Sequence, residues 1–171
     1  MTVETFKIEI LPLRHKLYRL ANRLLNNIPE AEDAVQEVFL RLWSKKDVLN
    51  EYRSIEAFAM TMTKNLCLDR LKSKGYRIGE LDENYDKMSD HTPHTRLELS
   101  ESYEEIQKII NTLPEQQRII IHLRDIEEYD LDEIAEITEL NMNTVRVNLS
   151  RARKKVREML TKIYNYEFAK N

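Results

Sequence analysis

Glycine occurs only twice and proline four times in 171 residues, so the chain is poor in the residues that break helices and build tight turns. With Leu, Ile, Glu, Lys and Arg abundant, that scarcity points to an all-α protein. A single cysteine, Cys67, excludes an internal disulfide and fits a reducing compartment. It stands between Leu66 and Leu68 in a helical pattern and reads as a small core residue. No apolar run is long enough to span a bilayer, and no secretory signal pattern opens the chain, so a cytoplasmic location is expected. The four histidines are scattered, no glycine-rich phosphate loop occurs, and no nucleophile–base pairing is readable. Catalysis, a cofactor, a metal and a small-molecule substrate are therefore not expected.

The net charge of −3 hides a segregation. Arg146, Arg151, Arg153, Lys154, Lys155, Arg157 and Lys162 crowd the C-terminal stretch, and Lys64, Arg70, Lys72, Lys74 and Arg77 form a second basic run. Acid collects at Glu30, Glu32, Asp33 and Glu37, and again at Glu80, Asp82, Glu83, Asp86 and Asp90. Local charge decides where a polyanion docks. Two basic faces separated by acidic stretches suggest two DNA contacts and a partner that is not DNA.

Three helices are expected in the first half. Leu13, Leu17, Leu20, Leu24 and Leu25 recur at helical spacing, and Asn26-Asn27-Ile28-Pro29 breaks the run. Ala31, Ala34, Val35, Val38, Phe39, Leu42 and Trp43 form a second stripe with acids in its first turn. After a polar loop from Lys45 to Arg53, Ser54 caps a third helix, buried through Phe58, Met62 and Leu66. From Ser73 to about Thr95 the pattern dissolves into an extended acidic linker in which His91 and His94 carry no metal signal. Thr95 to Glu98 fits a capping box before a helix with Leu99, Tyr103, Ile106, Ile109, Ile110 and Leu113 inward. Pro114-Glu115 starts the next helix, with Ile119, Ile120 and Leu123 inward.

Asp130 to Glu133 is another capping box, opening a short helix with Ile134, Ala135 and Ile137, and Asn141 can cap a final helix through Leu160. A helix-turn-helix needs a small residue at the helix crossing, an apolar residue in the turn, and a capped, basic second helix. Ala135, Leu140 and the helix after Asn141 supply these, with Val145, Leu149 and Ala152 inward. Asn143, Arg146, Val147, Ser150, Arg151 and Lys154 then face outward, where arginine can read guanine, while Arg153, Lys155 and Arg157 meet phosphates. An ordinary helical hairpin with a basic face is the alternative.

Three segments carry a family resemblance. Ala31 to Trp43 (AEDAVQEVFLRLW) resembles the second conserved region of extracytoplasmic-function (ECF) RNA polymerase sigma factors. Phe58 through Asn65-Leu66-Cys67-Leu68-Asp69-Arg70-Leu71 is similar to the helix those proteins use at the −10 promoter element. Leu113 to Arg118, followed by Thr144-Val145-Arg146 and Leu149 to Lys155, resembles their fourth region. The resemblance implies two small helical domains, one of three helices (residues 1–74) and one of four carrying the helix-turn-helix (residues 96–165), joined by an acidic linker (residues 75–95).

It also implies partners and sites. The acidic helix would dock on a coiled coil of the largest subunit of core RNA polymerase through Asp33, Gln36, Glu37, Leu40 and Arg41, with the polymerase flap a second contact. Lys45, Asn50, Tyr52, Arg53, Thr61, Lys64, Asn65, Arg70 and Lys72 would meet the −10 element, Asn65 at a pocket for a flipped base. Asn141, Asn143, Thr144, Arg146, Val147, Ser150, Arg151, Arg153 and Lys154 would meet the −35 element. The linker would thread the polymerase channels, and an anti-sigma factor would be a further partner.

Two departures stand out. Glu139 occupies a turn position where the family often has glycine, and left-handed geometry there costs about 1–2 kcal/mol. Val147 and Ser150 are short, so readout leans on DNA shape and phosphates. The competing reading, a stand-alone helix-turn-helix regulator, leaves the acidic helix and the Asn65 region without a task.

Overall fold

The computed structural model of the protein describes residues 1–75 and 97–170; the acidic linker, His91, His94 and the Thr95 capping box lie outside them. Among the described residues there are eight α-helices and no strand: α1 (Val3–Glu9), α2 (Arg14–Leu25), α3 (Ile28–Ser44), α4 (Ile55–Gly75), α5 (Leu97–Thr112), α6 (Glu115–Ile121), α7 (Leu131–Thr138) and α8 (Met142–Lys170). They form two helical domains, α1–α4 and α5–α8.

The helix ends follow local chemistry. Asn26 ends α2 in the left-handed region at φ 48°, a conformation Asn tolerates. Asn27 then caps α3, its Oδ1 accepting the Glu30 N–H at 3.0 Å. Ser54 Oγ accepts the Ala57 N–H at the start of α4. The Asp130 capping box is present, with Glu133 reaching back to the Asp130 N–H at 2.9 Å. Helix α1 was not expected from the pattern: it is one short amphipathic piece that buries Phe6, whose ring meets Trp43 edge-on at 5.1 Å.

Leu17, Leu20, Val38, Leu42 and Leu49 are fully buried in the first domain; Ile120, Leu123, Ile134, Ile137 and Val145 are fully buried in the second. Helix α4 departs from the single stripe expected of it. Ala57, Ala59, Met60, Thr63, Lys64, Leu66 and Cys67 are all buried, whereas Phe58 and Met62 are only half-buried. The reason is that α2, α3 and α7 all pack on α4, so it has no single inner face. Tyr103, expected inward, is 59% exposed on α5. Helix α8 runs on past Leu160 to Lys170.

Between α6 and α7 the chain makes a π turn (His122–Ile126), closed by the Glu127 N–H donating to the His122 carbonyl. Two non-glycine residues nearby have positive φ, Glu128 at 62° and Glu139 at 59°. Glu128 is exposed, so Glu128→Gly removes backbone strain and little else. It should stabilise the protein by about 0.5–1 kcal/mol, and a melting temperature that fails to rise would refute strain at this position.

Candidate nucleic-acid interface

The turn between α7 and α8 has the geometry of a helix-turn-helix. The Glu139 N–H donates to the Ala135 and Glu136 carbonyls, and Leu140 N–H donates to Ala135 O at 3.2 Å, turning the chain sharply. Asn141 Oδ1 accepts the Thr144 N–H at 2.8 Å and starts α8. Val145, Leu149 and Ala152 are buried, which leaves Asn143, Arg146, Val147, Ser150, Arg151 and Lys154 exposed along the outer face. Arg146, Arg151 and Lys154 make no ion pair among the described residues and present full charges to solvent. Arg153 does not. Its Nε and Nη2 donate to Asp125 at 3.0 and 2.5 Å, tying α8 to the π turn.

The second basic region divides on inspection. Phe58, Thr61, Asn65 and Lys72 lie at helical spacing on one side of α4; Asn65 and Lys72 are exposed. Tyr52, at the end of the preceding loop, stacks on Phe58 with ring centroids 3.9 Å apart and planes 20° from parallel. An aromatic shelf two helical turns from an exposed asparagine, on the same side of α4, offers unpaired bases a stacking surface and an edge to hydrogen-bond. The spacing places Phe58 in the core, but its ring is only half-buried and its other face is covered by Tyr52. Lys45, Asn50 and Arg53 are exposed around the same loop, and the Thr61 hydroxyl donates to Ala57 O at 2.8 Å.

Lys64 and Arg70 are placed differently from their neighbours. Lys64 is 5% exposed, and burial lowers its pKa. Arg70 Nη2 donates to Asp33 Oδ2 at 2.8 Å and to Glu37 Oε2 at 2.7 Å, which staples α4 to α3. Lys74 pairs with Glu30 on the same seam.

On α3, Asp33, Gln36, Leu40 and Arg41 are exposed and Glu37 is half-buried. Leu40 is 71% exposed, a large apolar side chain with Glu37 one turn before it and Asp33 two turns before it. The Glu37 carboxyl is held below the usual range by the Arg70 hydrogen bond, with Arg41 adding to it.

Two family models match this chain: Sigma-70 region 2 over residues 10–76 and Sigma-70 region 4 over residues 103–156. Sigma factor SigW of Bacillus subtilis, an ECF protein, is 31% identical over 160 residues, covering 86% of this chain and 84% of SigW. The protein is an ECF RNA polymerase sigma factor by family. SigV of the same organism is 34% identical over 154 residues, covering 87% of each chain. SigE of Mycolicibacterium smegmatis is 32% identical, but this chain spans only 58% of its length. Among solved structures, Bartonella quintana RpoE in complex with the anti-sigma factor NepR superposes with a TM-score of 0.76 at 25% identity, over 93% of this chain and 98% of that one. Both sigma regions thus sit in this chain where the helices α2–α4 and α5–α8 had placed an acidic face, an aromatic shelf and a basic helix.

Proposed function

We propose that this ECF-family chain works as a sigma factor: it binds core RNA polymerase, directs it to a class of promoters and helps open the −10 region. The observation that carries this reading is the presence of regions 2 and 4 in one chain, in that order. A stand-alone helix-turn-helix regulator has no use for region 2.

In this reading residues 1–74 form the polymerase and −10 unit, residues 96–165 the −35 unit, and the acidic residues 75–95 the tether between them. Exposed Asp33, Gln36 and Leu40 dock on the polymerase, with Glu37 and Arg41 beside them. Asn65, Tyr52 and Phe58 hold a base extruded from the melted strand, with Lys45, Asn50, Arg53, Thr61 and Lys72 around it. Arg146, Arg151, Asn143, Val147 and Ser150 face base edges at −35, with Lys154 on phosphate. The protein needs no chemistry of its own and acts in the cytoplasm, where the polymerase is. No helix among the described residues is long and apolar enough to cross a membrane. An anti-sigma partner is proposed from the Bartonella protein, which was solved with one.

Run-off transcription with purified core polymerase on genomic fragments tests the function; absence of any promoter-specific transcript would reject it. Asn65→Ala should reduce permanganate reactivity of the −10 thymines at least tenfold while closed-complex formation changes little. Unaltered reactivity would remove Asn65 from the pocket.

A further inference from the structure

Arg70 belongs to the basic run expected to meet the −10 element, but the turn of α4 points it elsewhere. At about 100° per residue it projects about 140° away from Asn65 and about 160° away from Lys72. Those two are exposed, whereas Arg70 is half-buried against α3. Lys74, one turn further on, shares the Arg70 side of the helix.

The Arg70 guanidinium is spent on the acidic helix. Its Nη1 donates to the Glu30 carbonyl at 3.4 Å, and its Nη2 donates to Asp33 Oδ2 at 2.8 Å and to Glu37 Oε2 at 2.7 Å. A single nitrogen thus bridges two carboxylates that stand one turn apart on α3. Arg41 takes the other Glu37 oxygen, and Lys74 takes Glu30. Glu30, Asp33 and Glu37 are so matched by three cations, two of which come from α4.

This pairing changes what the acidic face can offer a basic partner. An unpaired acidic stripe acts mainly through its field, which sets the rate of encounter. A carboxylate held by arginine has lost part of that field and gained an orientation. The Asp33 side chain is 70% exposed while Arg70 behind it is 23% exposed, so the acid stays open to a partner's donors and the cation does not. Arg70 fills one of the roughly four acceptor positions of that carboxylate and leaves room for others. Ordering a long side chain before docking removes a cost that otherwise falls on binding. The Glu37 carboxyl is held below its usual range chiefly by the Arg70 hydrogen bond, so its half of the bridge stays ionised at and below neutral pH.

We propose that Arg70 is a positioning residue for core polymerase and not a DNA contact: from α4 it holds the Asp33 and Glu37 carboxylates in the arrangement that docks around Leu40. The role rests on the sigma-factor reading of α3. The charge balance gives it a sign. Removing Arg70 makes the face more negative, and a role of charge alone would then speed its capture by a basic partner and tighten the complex. Loss of orientation acts in the opposite direction and makes the complex dissociate faster.

Arg70→Met tests this in the full-length protein, because it keeps the aliphatic stem against α3 and removes the charge and the donors. Circular dichroism and the melting temperature check the fold. Binding to immobilised core polymerase, followed in time, should show dissociation about fivefold faster or more, with association no slower. Arg70→Lys keeps the charge without the planar fork and should fall between the wild type and Arg70→Met. Misfolding would only lower the amount captured and leave the dissociation rate of the captured protein unchanged. Holoenzyme assembled with saturating Arg70→Met should bind a promoter fragment within about twofold of the wild type. Unchanged or slower dissociation overturns the role, and a loss confined to promoter affinity returns Arg70 to the DNA phosphates. Should Arg70→Met fail to fold, Arg70→Lys decides by the same measure. Failure of the wild type itself to bind rejects the sigma-factor reading, a result distinct from a defect of the variants alone.

Discussion

Leu40→Asp is expected to reduce capture of the protein by core polymerase by more than tenfold, with its melting temperature unchanged. Leu40 stands 71% exposed on α3, and nothing in either domain covers it. Burying a leucine at an interface contributes about 1.5–3 kcal/mol. A carboxylate left there without a partner costs about another 1–3 kcal/mol. Because the side chain is outside the core, the folded protein loses neither packing nor a hydrogen bond. Equal capture of the variant and the wild type in a pull-down would remove Leu40 from the docking face. The more obvious charge reversal, Glu37→Lys, is a poorer probe. Glu37 pairs with both Arg70 and Arg41, so a lysine there would gather three cations on the α3–α4 seam and confuse docking with stability.

Arg151→Ala should weaken holoenzyme binding at the cognate −35 element by about 1–3 kcal/mol, or roughly five- to 150-fold. Arg151 is exposed on the second turn-pair of α8 and unpaired among the described residues, so its charge and its fork of donors are available to a base edge or a phosphate. Arg146, one turn closer to the N-terminus of α8, should behave alike. Competition with scrambled duplex decides which role each plays. A loss equal on cognate and scrambled DNA would assign the residue to phosphate and refute base reading. Arg153→Ala serves as contrast: its guanidinium is already taken by Asp125, so it should cost less at the DNA and more in stability.

Much of this architecture could be read from the chain because most helices have one inner face. The leucines of α2, the Ala-Val-Leu stripe of α3 and the capped α7 each announce their burial by period and caps. Helix α4 did not, since three neighbours bury it and its apolar residues go all round. Helix α1 was too short to show a period, and the last turns of α8 carry polar and aromatic residues that look like a tail. Glu139 was legible as a position under strain, and the structure has it left-handed at φ 59°. The exposed sets on α3 and α8 follow directly from those faces. What escaped were pairings between distant residues of ordinary type. Nothing near Arg23 in sequence announces His122 or Asn111, and nothing near Lys64 announces that α7 would cover it. Arg70 reads as one more cation in a basic run until α3 is laid beside it.

The burial of Cys67 has a consequence for how this protein can receive a signal. Its surroundings push the thiol up to about 12, chiefly by desolvation. At neutral pH the thiol is then overwhelmingly protonated, and only the thiolate attacks a peroxide or a disulfide. Since the chain has no other sulfhydryl, it is chemically deaf to oxidants at its cysteine. A thiol-based oxidative signal that changes its behaviour has to be sensed on a different molecule and delivered by binding.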